Sequence, residues 1–416
     1  MTQSAVHGTV HVIGAGLAGL SAAARLTQAG RRVVVHEAGA QAGGRCRSYV
    51  DTVLNMPIDN GNHVILSGNR AALSYLDLIG SRDRMQGPPS ADFPFVDLRT
   101  RERWTLRLGD GFFPWWILSD QSRVPNTRPT DYLVFARLLW MPGRKAIGEL
   151  IDCSGALYER LVEPFFLATL NNAPAESSAQ LAATLLRETI AAGGRNCRPL
   201  IAMDGLSSAF VDPAIDWLKT KGADIKFGHE LHSIDFDGGR ATRLDFSGDI
   251  VPLAADDIVI IAVPPNLASR LLPGLTVPTE FRAIANLHFK ADAPDLAVMT
   301  GVVHGTTQWI FSYPGRISIT ISAADALMQQ PREELAREVW REVAQVAGLP
   351  DALPPWQVVR ERRATIATDP AQEALRPPAQ TKWDNVVLAG DWTDTGLPPT
   401  IESAIRSGER AAALAG

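Results

Sequence analysis

The residues with the plainest chemistry lie close to the start of the 416-residue chain. An apolar run with Val10, Val12 and Ile13 leads into Gly14-x-Gly16-x-x-Gly19. A stretch of small residues follows, and a second apolar run, Val33-Val34-Val35, ends at Glu37. This order reads as strand, Gly-rich turn, helix and strand, the fingerprint of a dinucleotide site. Gly14 permits the tight turn off the strand. Gly16 has no side chain, so a pyrophosphate can approach the backbone. Gly19 lets the helix pack closely on the sheet. The helix start, with Ala15, Leu17 and Ala18 around it, turns free N–H groups and a positive dipole end toward phosphates. Glu37, followed by Ala38, stands 23 residues after Gly14. A carboxylate there can accept hydrogen bonds from both hydroxyls of an adenosine ribose. A lone Gly-rich turn would be weak evidence; a complete strand–turn–helix–strand unit with its terminal acid is not.

Beyond Glu37 the chain reads Gly43-Gly44-Arg45. This resembles the second signature of FAD-binding proteins of the glutathione reductase and amine oxidase superfamily. The resemblance implies FAD as the cofactor and an Arg45 that braces its pyrophosphate. Near the other end, Val386-Val387-Leu388-Ala389 reads as a buried strand running into Gly390-Asp391, and a Gly/Pro loop delivers a helix start at Thr400-Ile401. Asp391 can bond ribityl or phosphate-side hydroxyls. The helix start can stabilise negative charge at N1 and O2 of a reduced flavin.

These groups need a scaffold, and the pattern of the chain supplies one. Hydrophobic residues make up 46% and charged residues 20%, the balance of a globular protein with a large core. A net charge of -5 does not suggest nucleic-acid binding. Cys46, Cys153 and Cys197 are far apart and form no CxxC or His cluster, which argues against a disulfide framework, against a metal site, and for a cytoplasmic protein. The fingerprint starts by Thr9 and leaves no room for a signal peptide, and no apolar run is long enough to span a bilayer. Helices are expected at 70–79, from Asp131 to Met141, across 144–192 with breaks at Pro164 and Pro174, at 332–347 and at 401–414. Strands are expected around 92–109 with a turn at Arg99–Arg101, in an antiparallel group at 224–246 that includes Asp224–Phe227, and at 258–263, 309–311 and 317–322. The fold class is α/β: a Rossmann-like FAD-binding domain assembled from 1–80, 196–265 and 381–416, and a second domain of mixed sheet and helices from 81–195 and 266–380 that faces substrate.

The two ends together resemble FAD-dependent amine oxidase and phytoene desaturase-like flavoproteins. The internal strings Asp59-Asn60-Gly61-Asn62-His63, Leu170-Asn171-Asn172-Ala173-Pro174, Cys197-Arg198-Pro199-Leu200, Pro278 to Ile284 and Ala389 to Gly396 are similar to one branch of it, the hydroxysqualene dehydroxylases, or squalene-associated FAD-dependent desaturases, of hopanoid biosynthesis. Asn62 and Pro399 depart from that branch, which has Gln and Ala there. The resemblance implies reductive loss of the allylic hydroxyl of hydroxysqualene, a C30 isoprenoid, with hydride from reduced FAD; the source of electrons for FAD is not specified. It implies cofactor contacts at Gly14, Ala15, Gly16, Leu17, Ala18, Gly19, Glu37, Ala38, Gly44, Arg45, Asn62, His63, Leu231, Gly390, Asp391, Thr400 and Ile401. His63 and Asp394 are the candidate proton donors for the departing hydroxyl, with Glu163 a third. The aromatic stretch from Phe112 to Met141 is either a peripheral membrane contact on the inner face of the membrane or the core of the second domain. A phytoene or carotenoid desaturase, a flavin amine oxidase and an inactive FAD-binding scaffold are the rival readings.

Overall fold

The computed structural model describes residues 8–416, so the first seven residues of the 1–80 segment lie outside it. Five short strands form one parallel sheet in the order Asp224–Phe227, Val33–Glu37, Val10–Ile13, Ile258–Ile261, Val386–Leu388. The four strands after the first are almost wholly buried, as their continuous β-branched runs require. The fingerprint helix Leu17–Gln28 and the C-terminal helix Ile401–Ala415 pack side by side on this sheet. Ser21 Oγ donates to the carbonyl of Ile405 at 3.0 Å. A Cβ on Gly408 would lie 2.2 Å from the carbonyl oxygen of Ala18, so glycine sets how close the two helices come.

One strand differs from expectation. Asp224–Phe227 is not part of an antiparallel group; it pairs parallel with Val33–Glu37, placing Phe227 opposite Glu37. It is an edge strand with a half-exposed pattern. Alternation in sequence reports one solvated face and carries no information on the direction of the partner. The antiparallel meander consists of Ser233–Asp237, Arg240–Phe246 and Asp249–Pro252.

A second sheet has seven strands in the order Trp356–Ile366, Phe281–Phe289, Arg316–Ile321, Trp309–Tyr313, Met299–Val303, Ala91–Asp97, Arg103–Leu108. Its pairs are antiparallel except Met299–Val303 against Ala91–Asp97. One face packs Leu287, Ile310 and Ile319 with Leu335, Val339 and Val343 of the helix Arg332–Ala347. The other face packs Phe95, Trp104, Trp309 and Phe311 with the helical layer between residues 133 and 186.

In that layer Pro164 does not break the chain's helix. Gly155–Leu157, a wide π turn at Tyr158–Val162 and Glu163–Leu170 follow one another without interruption. A proline inside a regular helix removes a hydrogen bond and presses its ring on the preceding turn; the widened turn just before Pro164 relieves both. Asp212-Pro213 follows the π turn Ser207–Val211 in the same manner. Pro174 does lie beyond a helix end, after Asn171 in a left-handed conformation.

Candidate active site

The Gly-rich turn has the geometry a diphosphate needs. Gly14 sits at φ 106°, and its N–H donates to the carbonyl of His36 at 2.7 Å. A Cβ on Gly19 would lie 2.0 Å from the Gly14 carbonyl oxygen, whereas a Cβ on Gly16 would meet nothing within 4 Å. Packing therefore requires glycine at 19; at 16 the space is simply kept open. The helix that starts here has no side-chain cap and no acid in its first turn, so its N–H groups remain available. Glu37 accepts from the Ala15 N–H and the Gly39 N–H, both at 2.8 Å, which fixes the carboxylate across the turn and leaves each oxygen a lone pair for a hydroxyl. Ala38 beside it is exposed, and Leu231 is buried in the core cluster that contains Ile13 and Leu244.

Gly43 and Gly44 lie directly against this turn. The Gly43 N–H donates to Ala15 at 2.8 Å, and a Cβ on Gly44 would come 3.4 Å from the Cα of Gly16. Arg45 reaches out of this contact. One end of its guanidinium donates to Asp391 Oδ1 at 2.7 Å and the other to the Ala364 carbonyl at 2.6 Å. Asp391 is buried and follows Gly390, whose φ is 154° and whose N–H donates to Ser407 Oγ. Arg45 thus ties the N-terminal turn, the C-terminal strand end and the second sheet into one wall. Thr400 caps the C-terminal helix by accepting from the Ser403 N–H at 3.2 Å, with Ile401 buried behind it.

The loop between Asp391 and Thr400 has an anchor that sequence reasoning missed. The Arg376 side chain, 0% exposed, donates to the carbonyls of Asp391, Thr393 and Leu397 and to Thr395 Oγ1, and pairs with Glu373 at 2.9 Å. Its sequence signal is slight: a single arginine before Pro377-Pro378, with no periodicity. Only the closed loop shows what it holds.

The Asp59–His63 segment is fixed by polar contacts on several sides. Asp59 accepts from Ser48 Oγ and the Leu206 N–H. Asn286 Nδ2 donates to the Asn60 carbonyl at 3.2 Å, Thr320 Oγ1 donates to Asn286 Oδ1 at 2.9 Å, and Asn62 Nδ2 donates to Thr320 Oγ1 at 3.1 Å. This chain of bonds fastens the segment to the middle of the second sheet and keeps the Asn62 side chain buried there. Asn171 and Asn172 lock the helical layer to the same sheet, through Thr365 and Arg282.

His63 follows, half-buried. Burial first and the nearby Arg45 charge second push its pKa down to about 4. At pH 7 this favours the neutral imidazole, so a role for His63 as proton donor requires added negative charge beside it. Asp394 is placed differently from His63. Its backbone N–H bonds to Pro377 and its carbonyl to Arg410, while its carboxylate is exposed and joins none of the loop's hydrogen bonds or ion pairs. Glu163 is half-buried and outside the ion pairs found among the described residues; burial, then Glu159, raises its pKa.

The residues present fit a flavin dinucleotide: an open Gly16, an uncapped helix start, a fixed Glu37, and Arg45 with Asp391 on the far side. The fold and this cleft define a dinucleotide-binding oxidoreductase of the flavoprotein class. The chain belongs to the flavin containing amine oxidoreductase family, whose model matches residues 17–291 and 306–415. Its cofactor is accordingly FAD. It is 54% identical over 408 residues to the hydroxysqualene dehydroxylase of Rhodopseudomonas palustris, covering 98% of each chain, and 47% identical to that of Zymomonas mobilis, covering 97% of this chain and 98% of the relative. Solved structures share the fold at low identity. Cyclohexylamine oxidase from Brevibacterium oxydans matches with a TM-score of 0.72 at 16% identity over 98% of this chain and 99% of that one. A putrescine oxidase matches with 0.69 at 19% over 98% of both.

Proposed function

We propose that this protein is an FAD-dependent oxidoreductase that converts hydroxysqualene to squalene and water. The observation that carries this reading is the 54% identity, end to end, with a protein of that named activity. Reduced FAD supplies the hydride that replaces the departing hydroxyl. In this reading segments 1–80, 196–265 and 381–416 hold the cofactor, and 81–195 with 266–380 take the apolar C30 chain. Gly14 to Gly19 and Arg45 bind the diphosphate, Glu37 orients the adenosine ribose, and Asp391 the ribityl side. The helix start at Thr400-Ile401 stabilises negative charge on the ring.

The hydroxyl leaves as water and needs a proton. Negative charge entering beside Arg45, as a reduced flavin would bring, would favour the protonated form of His63. The His63 imidazolium would then give its proton to the departing hydroxyl. The cytoplasmic protein meets its substrate by peripheral contact with the membrane that dissolves it; no helix among the described residues is long and apolar enough to cross one. The test is product analysis. Purified protein given hydroxysqualene and a chemical reductant of its flavin is expected to yield squalene, and unchanged hydroxysqualene would overturn the reading.

A further inference from the structure

The stretch from Phe112 to Met141 divides into an inner and an outer face. Trp116, Tyr132, Phe135 and Leu138 are buried, and Trp116 meets Tyr132 edge-on at 5.4 Å, which packs the Trp115–Leu118 turn on the start of the helix Leu133–Trp140. The outer face is bare. Phe112, Phe113, Trp115 and Leu118 are 79, 62, 66 and 61% exposed, and Leu133, Trp140 and Met141 are 66, 82 and 67% exposed. These seven are over half of the thirteen large apolar residues exposed among the described residues, so they are a patch and not the usual scatter.

The charge around the patch names its occupant. Residues 110–149 carry five basic side chains, Arg123, Arg128, Arg137, Arg144 and Lys145, against the four acids Asp110, Asp120, Asp131 and Glu149, in a chain whose net charge is -5. The four acids are engaged elsewhere: Asp110 pairs with Arg198, Asp120 pairs with Arg123, Asp131 accepts from the Arg128 N–H and Glu149 from the Ala146 N–H, so Arg137, Arg144 and Lys145 are the cations left outside these pairs. Arg137 lies on the same helix face as Leu133 and Trp140, and exposed Arg144 and Lys145 follow Met141. A second copy docking by this face would press these cations together. An anionic bilayer surface accepts both the aromatics and the cations.

We infer that this face docks the protein on one leaflet of a membrane containing anionic lipid. The inner face of the same stretch belongs to the buried cluster against which Val64, next to His63, packs. The surface is read from exposure and charge; its use as the entry for a C30 substrate rests on the proposed activity.

The test is flotation of the FAD-loaded protein with phosphatidylcholine vesicles, with and without phosphatidylglycerol. The unaltered protein is expected to float with the mixed vesicles and poorly with phosphatidylcholine alone. The triple variant Trp115→Ser, Trp140→Ser, Met141→Ser should lose roughly tenfold or more in vesicle affinity, and Arg137→Glu with Lys145→Glu should lose the preference for anionic lipid. Flavin absorbance and the melting temperature check that each variant is folded, and the charge variant serves if the triple variant is not. Failure of the unaltered protein to float, or undiminished flotation of both variants, would overturn the inference. So would a dimer in sedimentation velocity that the triple variant abolishes without any vesicle binding. Turnover of hydroxysqualene dispersed in detergent is measured separately, so failure of docking and failure of the activity are distinguishable.

Discussion

Arg45 and Asp391 stand 346 residues apart in the chain and 2.7 Å apart in the fold. The pair joins the Gly-rich N-terminal turn to the end of the last strand of the sheet. Replacing Arg45 with Met leaves the buried Asp391 carboxylate without its cation and, on the proposed role of Arg45, removes the brace for the diphosphate. A charge-assisted bond contributes about 1.5–3 kcal/mol, so FAD affinity should fall roughly tenfold to a hundredfold. Fluorescence titration of the apoprotein with FAD checks this; an unchanged Kd would show that Arg45 only staples the fold.

Two glycine substitutions separate packing from binding. Gly16→Ala adds a methyl group to open space, at φ -73°, and should leave the melting temperature of the apoprotein almost unchanged while abolishing FAD retention on gel filtration. Gly19→Ala pushes a Cβ onto the Gly14 carbonyl and should destabilise the apoprotein itself, by about 1–3 kcal/mol as for overpacked sites. Full FAD retention in Gly16→Ala would contradict the cradle.

His63 and Asp394 differ in placement and should differ in effect. His63→Ala is expected to keep FAD bound and lower turnover by roughly 100-fold or more, the usual contribution of a positioned acid. Asp394→Ala, altering an exposed carboxylate, should leave turnover within about twofold. Steady-state rates on FAD-normalised protein decide between them, and the reverse ranking would return Asp394 to the active site.

Stability should fall on the acid side for a definite reason. Burial holds His36 and His288 down to about 3 and His63 to about 4, against an ordinary 6.5; neighbouring histidines and Arg316 or Arg45 add to the effect. The unfolded chain takes up these protons near pH 6.5 and the folded chain does not. The folded state is therefore most favoured above pH 6.5 and loses ground as pH drops from there toward 3. Each such histidine contributes a slope of about 1.4 kcal/mol per pH unit within that window. Urea melts of the apoprotein from pH 7.5 to 5 measure it. His288→Gln should flatten the slope by roughly one proton, whatever it does to absolute stability; an unaltered slope would show that His288 is charged in the fold.

What was legible in the sequence is what is local. Gly14 to Glu37 can be read because each step, from turn to helix to strand to acid, concerns neighbours in the chain. The helices at Arg70–Ile79 and Arg332–Ala347, and the glycines that stop them at Gly80 and Gly348, are legible for the same reason. The direction of Asp224–Phe227 is not, because a half-exposed strand alternates whether its partner runs with it or against it. Pro164 reads as a break because the widened turn that absorbs it has no sequence sign. The site shows the same division. Arg45 and Asp391 can each be picked out, but their contact and the bonds from Asn60 and Asn62 to Asn286 and Thr320 exist only across hundreds of residues of chain, and the Arg376 clamp, 15 to 21 residues from the loop atoms it holds, exists only once that loop has closed. The state of His63 depends on burial and on Arg45, and neither is written beside it.

The most direct measurement of the central claim is a single turnover without oxygen. FAD-loaded protein is reduced with dithionite, freed of excess reductant, and mixed with hydroxysqualene while the flavin absorbance is followed. The account predicts that the oxidised flavin spectrum returns and that one squalene appears for each flavin reoxidised. A flavin that stays reduced with hydroxysqualene, but that in its oxidised form is bleached by phytoene or by an amine, would contradict it.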